Sequence, residues 1–243
     1  MSLKNKINIT INNDAIFIAD SHTQDGRDSL IYNLKKIKFL PSQIFLLGDI
    51  SNILIGNINR SVISNKDLID IINFLSNSSQ VIYFEGNHDF HLSSLFPNVI
   101  KIPRKFQPLL TSFGDKKVLL SHGDLFLDKK YEFYIKFLTS NITSKAIKII
   151  DLISQGKLYS FIENKVKNKQ IRFSNDTESL IQNRILAYKN YIKLLGIRVD
   201  IVIEGHFHIG KIIRDEFTYI SLPSFYFNEK IFKIADNAFS IIK

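Results

Sequence analysis

Five short apolar runs, each followed within two residues by Asp, Gly or His, constrain this chain more than any other feature. They are Ala15 to Ala19, Ile44 to Leu47, Val81 to Phe84, Val118 to Leu120 and Ile201 to Ile203. Each is too short for a helix and rich in Ile, Val and Phe, the pattern of a strand buried on both faces. Helical periodicity around Ser29 to Lys36 and from Asp67 to Leu75 separates the first three. The chain therefore opens β-α-β-α-β, which requires a largely parallel sheet and an α/β fold. After Gly205 come shorter strand-like pieces: Lys211 to Ile213, Thr218 to Leu222, Phe225 to Phe227, Ile231 to Ile234 and Phe239 to Ile242. With turn residues at Asp215, Pro223, Asn228 and Asn237, they predict an antiparallel meander.

The polar residues that close the runs carry the chemistry. Asp20-Ser21-His22, Gly48-Asp49, Gly86-Asn87-His88-Asp89, Ser121-His122-Gly123-Asp124 and Gly205-His206-Phe207-His208 take up five of the 6 histidines. Loops at the carboxyl ends of parallel strands converge on one crevice, so these residues are expected to share a site. In Asp20-x-His22 and His206-x-His208 a spacing of two in extended backbone points both side chains the same way. With 0 Cys there is no disulfide framework, thiolate nucleophile or iron–sulfur ligation, so any metal is held by His, Asp, Glu or Asn. That donor set suits Mn²⁺, Fe or Zn²⁺ better than a structural zinc site. A carboxylate such as Asp49 can bridge two ions about 3.5–4 Å apart, a spacing that clamps both oxygens of a phosphoryl displacement. Taken singly, an Asp-x-His or Gly-Asp is usually only a turn. Five such closures, each after an apolar strand, outweigh that reading, and His91 is left as structural or substrate-facing.

Net charge is +9, from 32 Lys+Arg and 23 Asp+Glu, and it is unevenly placed. Lys129 to Asp200 holds 14 basic and 6 acidic residues, leaving 18 against 17 elsewhere. From Lys129 to Leu195 there is no Pro and one Gly, Gly156, with apolar residues at helical spacing in Tyr131, Ile135, Leu138 and in Ala146, Ile149, Ile150, Ile153. The expected organisation is a core of residues 1–124 and 199–243 with a helical cap insertion at 125–198. The stretch Ile147, Ile149, Ile150, Leu152 and Ile153 spans more than one helix face, so part of it packs on the core, a partner or a ligand. Lys165, Lys167 and Lys169 read as a solvated face. The N-terminal stretch builds no apolar core of signal-peptide length, and no run is long enough to span a membrane, so the expected location is cytoplasmic.

In this order the motifs resemble the signature of the calcineurin-like metallophosphoesterases, in register from Ala15 to His208. The resemblance implies a two-sheet β-sandwich flanked by helices and a dinuclear centre. Asp20, His22, Asp49 and His208 would hold one metal; Asp49, Asn87, His122 and His206 would hold the other. It also implies hydrolysis by metal-activated water, with His88 beside the leaving oxygen and Asp89 orienting His88. One departure is that Gly48-Asp49 is followed by Ile50-Ser51-Asn52, without the further acidic residue of many members.

The long basic insertion after His122 resembles that of the UDP-2,3-diacylglucosamine diphosphatases of lipid A synthesis, where it forms an apolar cleft for acyl chains. This implies an acylated nucleotide-sugar substrate contacted at Asn87, Asp128, Tyr131, Ile149 and Ile153. It also implies peripheral contact with an anionic inner membrane. His88 stands where those enzymes typically carry Arg, so a general cytoplasmic phosphodiesterase or phosphatase is the alternative. A nucleic-acid-binding reading is weaker, because the basic segment interleaves its charges with aliphatic rather than stacking residues, and no obligatory nucleic acid is expected.

Overall fold

Side-chain alternation along the strands sets the layers. The computed structural model describes residues 9–23, 29–36, 40–168, 176–235 and 238–242, with Lys169 and Asn237 outside them. The first half runs β1 (Ile16–Ile18), α1 (Ser29–Lys36), β2 (Gln43–Leu47), β3 (Leu54–Ile55), α2 (Asn59–Ser64), α3 (Lys66–Leu75), β4 (Gln80–Phe84), β5 (Asp89–Phe90) and β6 (Ile100–Ile102). It continues through β7 (Leu109–Phe113) and β8 (Lys116–Ser121) into four helices: α4 (Lys129–Leu138), α5 (Asn141–Ile153), α6 (Lys157–Lys167) and α7 (Thr177–Leu195). The chain closes with β9 (Ile201–Glu204), β10 (Ile209–Arg214), β11 (Thr218–Pro223), α8 (Phe225–Asn228), β12 (Ile231–Ala235) and β13 (Ala238–Ile242).

One sheet is ordered β13-β12-β1-β2-β4-β6 and the other β10-β11-β9-β8-β7. Phe17, Phe45, Leu47 and Phe84 of the first meet Val118, Leu120, Ile203 and Leu222 of the second in a buried central core. The alternate residues, Ile16, Ile18, Ile44 and Leu46, face outward onto Leu30, Leu34, Leu68 and Ile72 of α1 and α3. On the far side Leu119, Val202 and Tyr219 meet Ile181, Ile185 and Tyr188 of α7, a stripe at helical spacing. The result is the expected two-sheet sandwich between helical layers.

The meander expected after Gly205 is corrected. β10 pairs antiparallel with β11, but β11 lies parallel to β9 in one sheet, while β12 pairs antiparallel with β1 in the other. Phe225 to Phe227, expected as a strand, lies in α8. The reason is tertiary: the Phe225 and Tyr226 N–H groups donate to the carbonyls of Ala19 and Asp20, just past β1, and Phe225 fills the outer core. These contacts override the β preference of the aromatic residues and carry the chain from one sheet to the other.

Candidate metal centre

All five strand closures meet at one end of the sandwich. β1, β2 and β4 are parallel neighbours that deliver Asp20, Asp49 and Asn87-His88; β8 and β9 are parallel neighbours that deliver His122 and His206. The Gly205 N–H donates to the His122 carbonyl at 2.8 Å, and the His22 N–H donates to the Asp49 carbonyl at 3.1 Å, so adjacent loops are tied pairwise. The backbone is strained where the side chains converge. Asp20, His22, Asp49, His206 and His208 all have left-handed φ, from 44° to 66°, a conformation uncommon outside glycine and concentrated at functional sites.

Ligand atoms of three groups lie within 4.8 Å of one another: Asp20, His22 and His208; His22, Asp49 and His88; and Asp49, His122 and His206. His122 Nε2 is 3.5 Å from Asp49 Oδ2, 3.1 Å from Asn87 Oδ1 and 3.2 Å from His206 Nδ1. His208 Nε2 is 3.4 Å from Asp20 Oδ1. His122 Nδ1 donates to the Leu47 carbonyl at 2.8 Å, which turns Nε2 into the cluster, and ligating histidines are commonly oriented in this way.

This donor set fits divalent cations. Asp20 Oδ1 and His22 Nδ1 are buried without hydrogen-bond partners, a cost of roughly 1–3 kcal/mol each that a bound cation would remove. Burial pushes His22 down to about 4 and, with His122 beside it, pushes His206 well below its ordinary range. Both rings are therefore neutral at pH 7, with lone pairs to offer. Asp49 is ionised in spite of its burial because His122 and His88 face it, and Asp49 in turn lifts His122 against the same burial.

The sequence model of the family described as calcineurin-like phosphoesterase matches residues 15–210. The chain belongs to this family. It is a metal-dependent hydrolase, and the matched span runs from the first residue of the β1 run past His208. A curated relative from Wigglesworthia glossinidia brevipalpis, named UDP-2,3-diacylglucosamine hydrolase, is 26% identical over 206 residues, covering 81% of this chain and 80% of the relative. A protein of the same name from Haemophilus influenzae is 25% identical over 216 residues, covering 85% and 88%.

Not every residue of this phosphoesterase singled out in the sequence has the expected neighbours. The hydrogen bonds of the Asp89 carboxylate run to groups other than the His88 ring. The carboxylate is buried and accepts from the N–H groups of Asp49 (2.9 Å), Ile50 (2.7 Å) and Gly86 (2.8 Å) and from the Tyr83 hydroxyl (2.7 Å). The His88 ring is oriented instead by the Asn52 carbonyl, 2.7 Å from Nδ1. Asp128 caps α4, its Oδ1 accepting from the N–H groups of Lys130 and Tyr131, while the Tyr131 hydroxyl turns back to Asp124 at 3.4 Å. An open groove is lined by Asp128, Lys129, Lys130, Tyr131 and Tyr134. Ile149 and Ile153 lie on α5, 58% and 77% exposed. His91 lies against the backbone of Thr139 at the end of α4, its own backbone at φ 58° before a short 3₁₀ turn.

Sequence reasoning missed the polar residues that support this arrangement. The His122 N–H donates to Gln107 Oε1 at 2.7 Å. Arg104 and Arg184 are buried with their carboxylate partners Asp124 and Glu204. The available signal was a charge at an apolar position: Glu204 ends the Ile201 to Ile203 run, and Arg184 falls in the Ile181, Ile185, Tyr188 stripe.

Proposed function

We propose that this phosphoesterase hydrolyses the diphosphate of UDP-2,3-diacylglucosamine, with water, to UMP and 2,3-diacylglucosamine 1-phosphate. The observation that carries this reading is the surface of the insertion. It is tied to the loops of the histidine cluster, yet it turns Ile142, Ile149, Ile150, Leu152 and Ile153 of α5 to solvent. Tyr159 of α6 and Ile147 of α5 pack with Phe90, two residues past His88, so this surface is anchored beside the cluster. Apolar exposure on that scale marks an interaction site. Acyl chains of the substrate, and the membrane that supplies them, match it, with Lys145 and Lys148 of the same helix placed for anionic headgroups. No helix among the described residues is long and apolar enough to cross a membrane. The names of the curated relatives support the nucleotide-sugar substrate.

In this reading Asp20, His22, Asp49 and His208 hold one ion and Asp49, Asn87, His122 and His206 hold the other, with Mn²⁺ as the preferred metal. Two divalent ions, when bound, lower the pKa of water to about 7 and offset charge on the phosphoryl oxygens. The chain supplies the rest. Asp49 is kept in place by its own N–H on Asp89 and by the His88 N–H on Oδ1 at 2.9 Å. Because its Nδ1–H donates to Asn52, a protonated His88 presents Nε2–H to the leaving oxygen. The insertion binds the acyl end, and Tyr131 and Asp128 line the groove at its base.

A second reading, a general phosphodiesterase, is favoured by His88 standing where the resembling diphosphatases carry Arg. Purified protein supplied with Mn²⁺ should release UMP from UDP-2,3-diacylglucosamine far faster than it cleaves bis-p-nitrophenyl phosphate or oligonucleotides. Equal or greater turnover of the latter two would favour the second reading.

Two further results are expected. Ile149→Asp and Ile153→Asp should raise KM for the diacylated substrate and leave both the melting temperature and bis-p-nitrophenyl phosphate hydrolysis unchanged, since neither side chain is buried. A joint loss of stability and of both activities would return them to the core. Gly48→Ala should deplete metal without unfolding the chain. At φ 79° the added Cβ would fall 2.4 Å from His122 Nδ1 and displace the ring. Elemental analysis beside circular dichroism reads this directly, and full metal content would contradict it.

A further inference from the structure

Two arginines grip the loop that follows His122. Three successive carbonyls each accept from a guanidinium: Gly123 from Arg184 Nη2 at 3.1 Å, Asp124 from Arg104 Nη2 at 2.8 Å and Leu125 from Arg184 Nη1 at 2.6 Å. Arg184, a residue of α7 that is 2% exposed, also forms a bidentate pair with Glu204, Nε to Oε1 at 2.9 Å and Nη2 to Oε2 at 2.7 Å. Glu204 ends β9 directly before Gly205-His206. The guanidinium further lies 4.9 Å from the centre of the Phe207 ring, between His206 and His208 in sequence. Glu204 is fully buried and also accepts from the hydroxyls of Tyr188 and Tyr219 at 2.7 and 2.5 Å, so its charge is met by three side chains.

A staple that only fastened α7 to the sheet would need Glu204 alone. The bonds to Gly123 and Leu125 and the contact with Phe207 add something else, because they tie together the two loops that deliver His122 and His206. The geometry points to Arg184 as a positioning residue for the His122–His206 half of the metal centre. It keeps His122 Nε2 and His206 Nδ1 3.2 Å apart, so the last helix of the insertion forms part of the metal site. This rests on the ligand assignment above. Polar partners behind a ligand typically change metal affinity by 10–100-fold when removed, and the planar guanidinium fork is what reaches two carbonyls and a carboxylate at once.

The test is titration of metal-stripped protein with Mn²⁺, followed by the EPR signal of the free ion. Wild type should bind two ions. Arg184→Lys keeps a cation opposite Glu204 but loses the fork, and should weaken one ion by about 10–100-fold while the other binds as before. Glu204→Gln, which releases the arginine from its partner, should weaken the same ion, so the inference does not depend on one variant folding. Ile185→Ala, on the same helix and buried in the apolar cluster, should lower the melting temperature and keep both ions. Wild-type affinities in both Arg184→Lys and Glu204→Gln, or an equal loss in Ile185→Ala, would overturn the inference. A wild type that binds fewer than two ions would instead overturn the ligand assignment.

Discussion

Asp49→Ala should abolish phosphoester hydrolysis and bring bound metal well below the wild-type stoichiometry. Asp49 is the residue common to the groups built around His22 and His88 and around His122 and His206. Its Oδ2 lies 3.5 Å from His122 Nε2, and its Oδ1 is fixed by the His88 N–H. No other carboxylate is shared between those groups, so nothing takes its place when it is removed. Without it, His122 also loses the charge that faces it, and the four imidazoles of His22, His88, His122 and His206 are left with no anion between the halves. The loss of metal affinity should exceed the roughly 10–100-fold typical of a partner behind a ligand. Elemental analysis and turnover on the same preparation measure both effects, and full metal with full turnover would refute the shared position.

His88→Ala is the second large effect, and it should separate the two readouts. The His88 ring stands 5.1 Å from the His22 ring, with Nδ1 committed to the Asn52 carbonyl, so one nitrogen is left for the phosphoryl group. Loss of a positioned acid–base group lowers kcat by roughly 10²–10⁴. Metal content should stay at the wild-type value, because the ligands proposed above, Asp20, His22, Asp49 and His208 for one ion and Asp49, Asn87, His122 and His206 for the other, all remain. Parallel loss of metal and activity would move His88 into the ligand set, which its place in the group with His22 and Asp49 makes a real test.

How far the sequence could be read depended on how local each cause was. The five buried strands were legible because their apolar runs are continuous and their closures are polar, and the clustering of those closing residues was legible because strand ends are where parallel sheets open. β3 and β5 are two residues each, too short for any period to show. The pairing of β12 with Ile16 and Phe17 of β1, and the helical state of Phe225 to Phe227 on the carbonyls of Ala19 and Asp20, depend on residues some two hundred positions away, which no window along the chain reports. Asp89 was given a plausible neighbour, His88, but its hydrogen bonds run to the Asp49 loop and to Tyr83, a long-range choice of the same kind. The Ile-rich stretch of α5 was legible as too apolar for one face. That Ile147 is the residue turned toward the core, while Ile149 and Ile153 face solvent, required the packing of Tyr159 on Phe90.

The central claim, two cations held side by side across Asp49, is tested most directly by low-temperature EPR of wild-type protein loaded with Mn²⁺. Ions about 3.5–4 Å apart across a shared carboxylate are magnetically coupled. The account predicts a spin-coupled spectrum at two ions per chain that gives way to an isolated six-line Mn²⁺ spectrum in Asp49→Ala. Two isolated six-line signals in fully loaded wild type would contradict it.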